Sequence, residues 1–275
     1  MPLHADVLEM YDQHPINEAQ VLAALERAGK DLNKLKPEDL YDYDQDHYGG
    51  LEAVDRLIVA AGIGAGSLAL DVCCGLGGPA RYVARKSGAR VVGIDLNAGR
   101  SAGARRLSER VGLGGRVAFV RGNAMQLPFA PVRFDAIYAQ EAFLHIPGKE
   151  ALFAECRRVL KPGGKLAFTD WIGFPTLSEA ARARLAEGLV AKRISSFEDY
   201  RALLRGAGFA AVETQDHSTE WREILRGRLE LFRSMRQDTV RLYGEERHRK
   251  YVSIYEFFVA RIGAGDLGGG CMIAS

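Results

Sequence analysis

From Leu51 onward the apolar positions switch repeatedly between a strand period and a helix period. Leu51–Ala61 carries an apolar stripe at helical spacing, and Ser67–Val72 is an apolar run of strand length. Pro79–Lys86 and Ala98–Val111 read as helices, and Arg90–Ile94, Val117–Arg121 and Phe134–Ala139 as strands. Lys149–Leu160 reads as a helix stopped by Pro162-Gly163-Gly164, with a fifth strand over Lys165–Asp170. Phe197–Gly206 adds a helix and Ala210–Thr214 a sixth strand. This alternation predicts an α/β fold, a doubly wound and mostly parallel sheet with helices on both faces.

Two regions break the alternation. Residues 1–50 hold a helical stretch, Asn17–Ala28, and then the acidic, aromatic segment Tyr41–Tyr48, ending in Gly49-Gly50. Glu220–Ile262 is long, helical and rich in arginine, and the glycine-rich Leu267–Ser275 has the pattern of a last, seventh strand. We expect residues 1–50 to form a helical lid, 51–219 a ligand-binding core, and 220–275 a helical cap plus the strand that completes the sheet. Nine Lys/Arg face five Asp/Glu between Arg222 and Lys250, which reads as a solvated face, with anion binding as the alternative.

Composition narrows the function classes. The chain has 275 residues, 47% hydrophobic, enough for a substantial core. Its 37 basic and 35 acidic residues leave a net charge of +2, too little to make nucleic acid or an anionic membrane the main partner. Met1–Met10 contains Asp6 and Glu9 and no basic run, so no secretory signal is expected there. Leu57–Leu70 is too short and too glycine-rich to span a bilayer. The four cysteines lack the spacing of a disulfide framework, and no metal site is expected; the expected setting is the reducing cytoplasm.

The sharpest chemical signal is Leu70-Asp71-Val72-Cys73-Cys74-Gly75-Leu76-Gly77-Gly78, directly after the first strand. Glycines at such a turn let a ligand approach the backbone, and Pro79 suits the first turn of the next helix. The second strand ends in Asp95, which can accept both hydroxyls of a ribose. Gly75–Ala80 also fits the dinucleotide pattern G-x-G-x-x-A. Asp71 argues against that reading, because a pyrophosphate would meet a carboxylate at the strand end. S-adenosylmethionine carries an ammonium and a sulfonium and no phosphate, so an acid there suits it.

The order of motifs resembles that of class I S-adenosylmethionine-dependent methyltransferases. The resemblance runs from Leu51 to about Thr214 and includes Val92–Asn97, Gly122-Asn123-Ala124, Phe134–His145 and Arg158–Gly164. With Gly49–Ala53 and Gln140-Glu141-Ala142-Phe143-Leu144-His145 it is similar to the sarcosine/dimethylglycine and phosphoethanolamine N-methyltransferases. The resemblance implies a Rossmann-like methyltransferase fold. It also implies a site for S-adenosylmethionine at Asp71, Cys73, Gly75, Gly77, Asp95, Leu96, Asn123, Ala124 and Gln140. Two departures stand out. Cys73 replaces the usual glycine, which predicts a right-handed or relaxed turn at that residue. Asn123 replaces a frequent aspartate, and its amide oxygen can still accept from adenine.

His145 and Glu141 are the candidate catalytic pair, His145 as proton acceptor and Glu141 as its partner or as ligand of a cationic acceptor. Their spacing of four would place them on one face if the segment is helical. Trp171, Tyr43 and Arg193 are candidate substrate contacts, with Arg222 and Arg226 as further partners for an acceptor carboxylate. The expected acceptor is a small molecule, most simply an amine or amino acid methylated on nitrogen. O-, S- or C-methylation of a small metabolite is the alternative, and a non-catalytic donor- or RNA-binding protein a further one.

Overall fold

The computed structural model describes residues 5–275, apart from Gln13 and Pro15 and the side chains of Leu242 and Tyr243. Four helices precede the sheet: α1 (Ala5–Asp12), α2 (Glu18–Arg27), α3 (Pro37–Leu40) and α4 (Gly50–Ala61). The core then alternates β1 (Leu68–Val72), α5 (Gly78–Ser87), β2 (Arg90–Asp95), α6 (Ala98–Arg110), β3 (Val117–Arg121) and β4 (Phe134–Gln140). A short 3₁₀ turn, Phe143–His145, leads into α7 (Lys149–Val159) and β5 (Leu160–Gly173). Next come α8 (Glu179–Leu189), α9 (Phe197–Gly206) and β6 (Val212–Asp216). Helices α10 (Ser218–Ser234), α11 (Arg236–Tyr243) and α12 (Glu245–Ala264) precede β7 (Leu267–Ala274).

The seven strands lie in the order β3-β2-β1-β4-β5-β7-β6. All pairs are parallel except those of β7, which runs antiparallel to both β5 and β6. The strand order reverses between β1 and β4. Open sheets of this kind bind ligands at that point, beyond the carboxyl ends of the strands. One apolar cluster fills the face under α4, α5 and α6 and another the face under α7 and α9. A third joins Tyr48 and Trp171 to the cap residues Trp221 and Phe258. Among the described residues no helix is long and apolar enough to cross a membrane.

Local chemistry explains the boundaries. Helix α4 starts and stops on left-handed glycines, Gly49 (φ 83°) and Gly62 (φ 68°). Helix α9 begins with a capping box, Ser196 with Asp199. The expected gap between α7 and the fifth strand is absent: β5 begins at Leu160, immediately after the helix. Its register with β4 jumps from Phe134↔Leu160 to Ala136↔Lys165, so the Pro-Gly-Gly segment is an irregularity within the strand. Strand β6 is shifted to Val212–Asp216 because it pairs with β7, Val212 opposite Ala274 and Asp216 opposite Gly270. The glycines of β7 leave room for the cap: a side chain on Gly269 would collide with the Trp221 ring. The arginine-rich segment is three helices, laced by pairs such as Arg233–Glu256 and Arg236–Glu245.

Candidate active site

Asp71, Cys73, Gly75, Asp95, Leu96, Asn123, Ala124, Gln140, Glu141 and His145 line one cavity at the carboxyl ends of β1, β2 and β4. Helix α1 covers it with Val7, Leu8 and Tyr11, and the Tyr41–Tyr48 segment with Asp44, Asp46 and His47.

At the end of β1 the turn differs from expectation. Cys73 has φ 62°, so a side chain sits in the left-handed region where a right-handed or relaxed turn was anticipated. Gly75 follows at φ 54°, and its N–H donates to Asp95 Oδ2 at 2.9 Å. The Asn97 N–H donates to Asp95 Oδ1 at 2.8 Å. Each carboxylate oxygen of Asp95 therefore keeps one lone pair for a ligand. Asp71 Oδ2 is buried without a partner, as are both amide atoms of Gln140. Burial, joined by the charge of Asp95 and only partly offset by the neighbouring Tyr138 hydroxyl, pushes the Asp71 carboxyl up to about 8. Asn123 Oδ1 accepts from the Met125 N–H at 2.9 Å, which makes Asn123 a turn residue as well as a cavity residue.

The N-terminus of α5 is closed. Gly77 (φ 73°) is the residue before the helix and, contrary to expectation, does not line the cavity; its α-carbon faces the Phe119 ring. Gly78 packs against the Asp44 carbonyl with no space for a side chain. Asp44 in turn forms a buried ion pair with Arg81, Oδ2 to Nη2 at 2.7 Å. A phosphate, which such a helix end would otherwise attract, has no room there.

At the other end of the cavity Glu141 adopts φ 45°, and the 3₁₀ turn begins only at Phe143. The pair is therefore not on one helical face, and each residue has its own partners. Glu141 accepts from Thr169 Oγ1 at 2.7 Å and from the Tyr48 N–H at 2.8 Å. Burial raises its carboxyl to about 7. His145 Nδ1 lies 3.3 Å from the Val190 carbonyl and Nε2 lies 3.1 Å from Tyr11 Oη. A carbonyl only accepts, so Nδ1 carries the proton and Nε2 is left as an acceptor for the phenol. Burial holds the imidazole down at about 4, hence neutral.

The five expected substrate contacts lie elsewhere. Trp171 is buried against Tyr48, Trp221 and Phe258 in the cap interface. Tyr43 packs on the cluster under α4. Arg193 pairs with Glu150 at 2.9 Å, and Arg222 and Arg226 both pair with Glu223. Conversely, α1 was missed, although Val7, Leu8 and Tyr11 have helical spacing. Arg100 was missed too: its guanidinium bonds Asp46 at 2.8 Å and lies 4.8 Å from the Tyr11 ring centre. An arginine in an amphipathic helix gives no sequence signal of facing inward.

Residues 70–168 match the family profile of the methyltransferase domain. The chain is 36% identical over 177 residues to methyltransferase GfsG of Streptomyces halstedii, a match covering 63% of each. It is 46% identical over 112 residues to the sterol 24-C-methyltransferase of Eremothecium gossypii, covering 41% of this chain and 30% of that protein. The chain thus spans less than two thirds of the length of these relatives. The fold is that of the crystal structure of a putative sarcosine dimethylglycine methyltransferase from Galdieria sulphuraria. The two superpose with a TM-score of 0.77 at 20% identity, covering 94% of this chain and 97% of that one.

Proposed function

We propose that this chain, through the methyltransferase domain that residues 70–168 match, is an S-adenosylmethionine-dependent methyltransferase of small molecules working in the cytoplasm. The observation that carries the reading is the set of buried polar atoms left without partners on the cavity wall, Asp71 Oδ2 and the Gln140 amide. Groups of that kind cost roughly 1–3 kcal/mol each unless a ligand satisfies them. The residues present fit this cofactor. Asp71 and Gln140 suit the ammonium of its methionine part, and Asp95 its ribose hydroxyls. Asn123 and Ala124 suit the adenine edge, while Cys73, Gly75 and Leu96 shape the wall. A dinucleotide fits poorly, since Asp44 occupies the helix end and Asp71 faces its phosphates.

Bound there, S-adenosylmethionine supplies an electrophilic methyl group on a sulfonium. The protein's task is alignment and water exclusion, worth on the order of 7–11 kcal/mol when geometry is held well. Neutral His145 offers Nε2 as proton acceptor once Tyr11 swings its hydroxyl away, and the Val190 carbonyl steadies the resulting imidazolium. Glu141 presents a carboxyl with no cation hydrogen-bonded to it. Of the acids on the cavity, Asp46 is paired with Arg100 and Asp44 with Arg81, while Asp71, Asp95 and Glu141 have no cation hydrogen-bonded to them. Burial raises all three of these carboxyls, so a bound cation would favour their ionised form. An acceptor that is neutral or cationic suits this wall better than a phosphate or carboxylate. N-methylation of a small amine is the leading reading. The likeness to a sterol 24-C-methyltransferase favours, as second reading, C-methylation of a sterol-like molecule.

The test is calorimetric titration with S-adenosylhomocysteine, followed by a labelled-methyl assay over a panel of amines, alcohols, thiols and sterols. Absence of S-adenosylhomocysteine binding by the folded protein overturns the proposal; the acceptor that takes up label chooses between the two chemistries.

A further inference from the structure

We propose that Lys149 is a positioning residue, a buried cation that holds the Phe143 carbonyl with buried Asp170 as its nearby counter-charge, and thereby aims the His145 imidazole. Both side chains are fully inaccessible, at 0% exposure. Lys149 Nζ donates to the Phe143 carbonyl. Asp170 accepts from the Trp171 N–H at 2.9 Å and from the Tyr200 hydroxyl. The Lys149 ammonium lies 5.6 Å from the centre of the Tyr200 ring.

A lysine is almost never fully buried without a specific task. Helix stability does not supply one. Lys149 is the first residue of α7, where the helix dipole disfavours a cation. Burial pushes its ammonium down to about 8, and the nearby Asp170 opposes that shift. The segment it grips needs outside support: the 3₁₀ turn has three residues and closes with few internal bonds, Ile146 N–H to the Phe143 carbonyl among them. The Leu144 carbonyl is held separately by the Lys192 and Arg193 N–H groups at 2.8 and 3.1 Å. The turn before His145 is therefore held at the Phe143 carbonyl by Lys149 and at the Leu144 carbonyl by two N–H groups, and the next residue carries the imidazole that meets Tyr11 and Val190.

The inference concerns the orientation of His145; its effect on turnover rests on the reading of His145 as proton acceptor. Removing one charge alone strands the other in the interior, so the informative variant is Lys149→Met/Asp170→Asn, which removes both. The measurement is long-range ¹H–¹⁵N correlation on histidine-labelled protein, with His145→Gln assigning the signal. The native protein should show a neutral Nδ1–H tautomer at pH 7. The folded double variant should bind S-adenosylhomocysteine within about threefold of the native affinity. Its His145 should show mixed tautomers and a titration moved up toward ordinary histidine. A native tautomer and titration in the folded double variant overturns the positioning role. A fully active His145→Gln enzyme overturns instead the reading of His145 as base, and leaves the spectroscopic result standing.

Discussion

The phenol oxygen of Tyr11 lies 3.1 Å from Nε2 of His145, and the two rings meet edge-on with centres 5.6 Å apart, joining residues 134 positions apart in the chain. The contact ties α1 to the 3₁₀ turn and occupies the lone pair that proton transfer would use. Burial raises the Tyr11 hydroxyl far above the usual tyrosine range, so it stays a hydrogen-bond donor. His145→Ala should lower kcat by about 10²–10⁴-fold while S-adenosylhomocysteine affinity stays near native. Tyr11→Phe should cost less turnover and speed hydrogen exchange in α1. A His145→Ala enzyme with native kcat and a lower Tm would return the histidine to a structural role.

Asp95→Ala removes the proposed ribose acceptor and also frees the Gly75 and Asn97 N–H groups. Affinity for S-adenosylhomocysteine should fall by roughly 1.5–3 kcal/mol, the usual worth of hydrogen bonds to a charged group. Calorimetry on the folded variant reads this directly, and an unchanged Kd contradicts the assignment of the ribose end.

Glu141 gives a pH signature of defined sign. Its carboxyl is raised from 4.5 to about 7 by burial, so between those values the folded chain keeps a proton that the unfolded chain releases. The associated stability is complete below pH 4.5 and is lost as pH rises through about 7. Glu141→Gln should match the native protein in acid and exceed it by about 1–2 kcal/mol at pH 8.5, after allowance for partial exposure. Urea unfolding at both pH values is the check.

The Tyr41–Tyr48 segment is clamped by the buried Asp44–Arg81 pair, by Asp46–Arg100, and by Arg228 donating to the His47 carbonyl. Asp44→Asn leaves Arg81 buried without its counter-charge, a loss of about 3–5 kcal/mol in comparable cases. Hydrogen exchange over residues 41–48 should rise in the variant and fall again with S-adenosylhomocysteine bound. Equal exchange in all states would mean that the segment is ordinary packing with no coupling to the ligand.

The core was legible because buried strands and amphipathic helices announce themselves by period, and Gly62 and the Ser196–Asp199 box punctuate them. Asp71, Asp95 and Gln140 sit at strand ends, where chain order alone fixes what faces the switch point. What the sequence hid was tertiary. Nothing local says that Arg81 turns inward to meet Asp44, or that Trp171 is covered by Trp221 instead of facing the cavity. The spacing of Glu141 and His145 misled because Glu141 takes a left-handed backbone, which breaks the helical geometry that the spacing assumed.

Strand β6 has one partner in the sheet, β7, and the three cap helices lie between them in sequence. That edge therefore cannot assemble when β6 emerges; it must wait until α10, α11 and α12 have been laid down and β7 has threaded in beside β5. Such a long-range closure is a slow step in folding. The cap consequently acts as a tether whose two ends are sewn into the same edge, and its helices should gain protection in refolding together with β6, after the parallel strands β1 to β4.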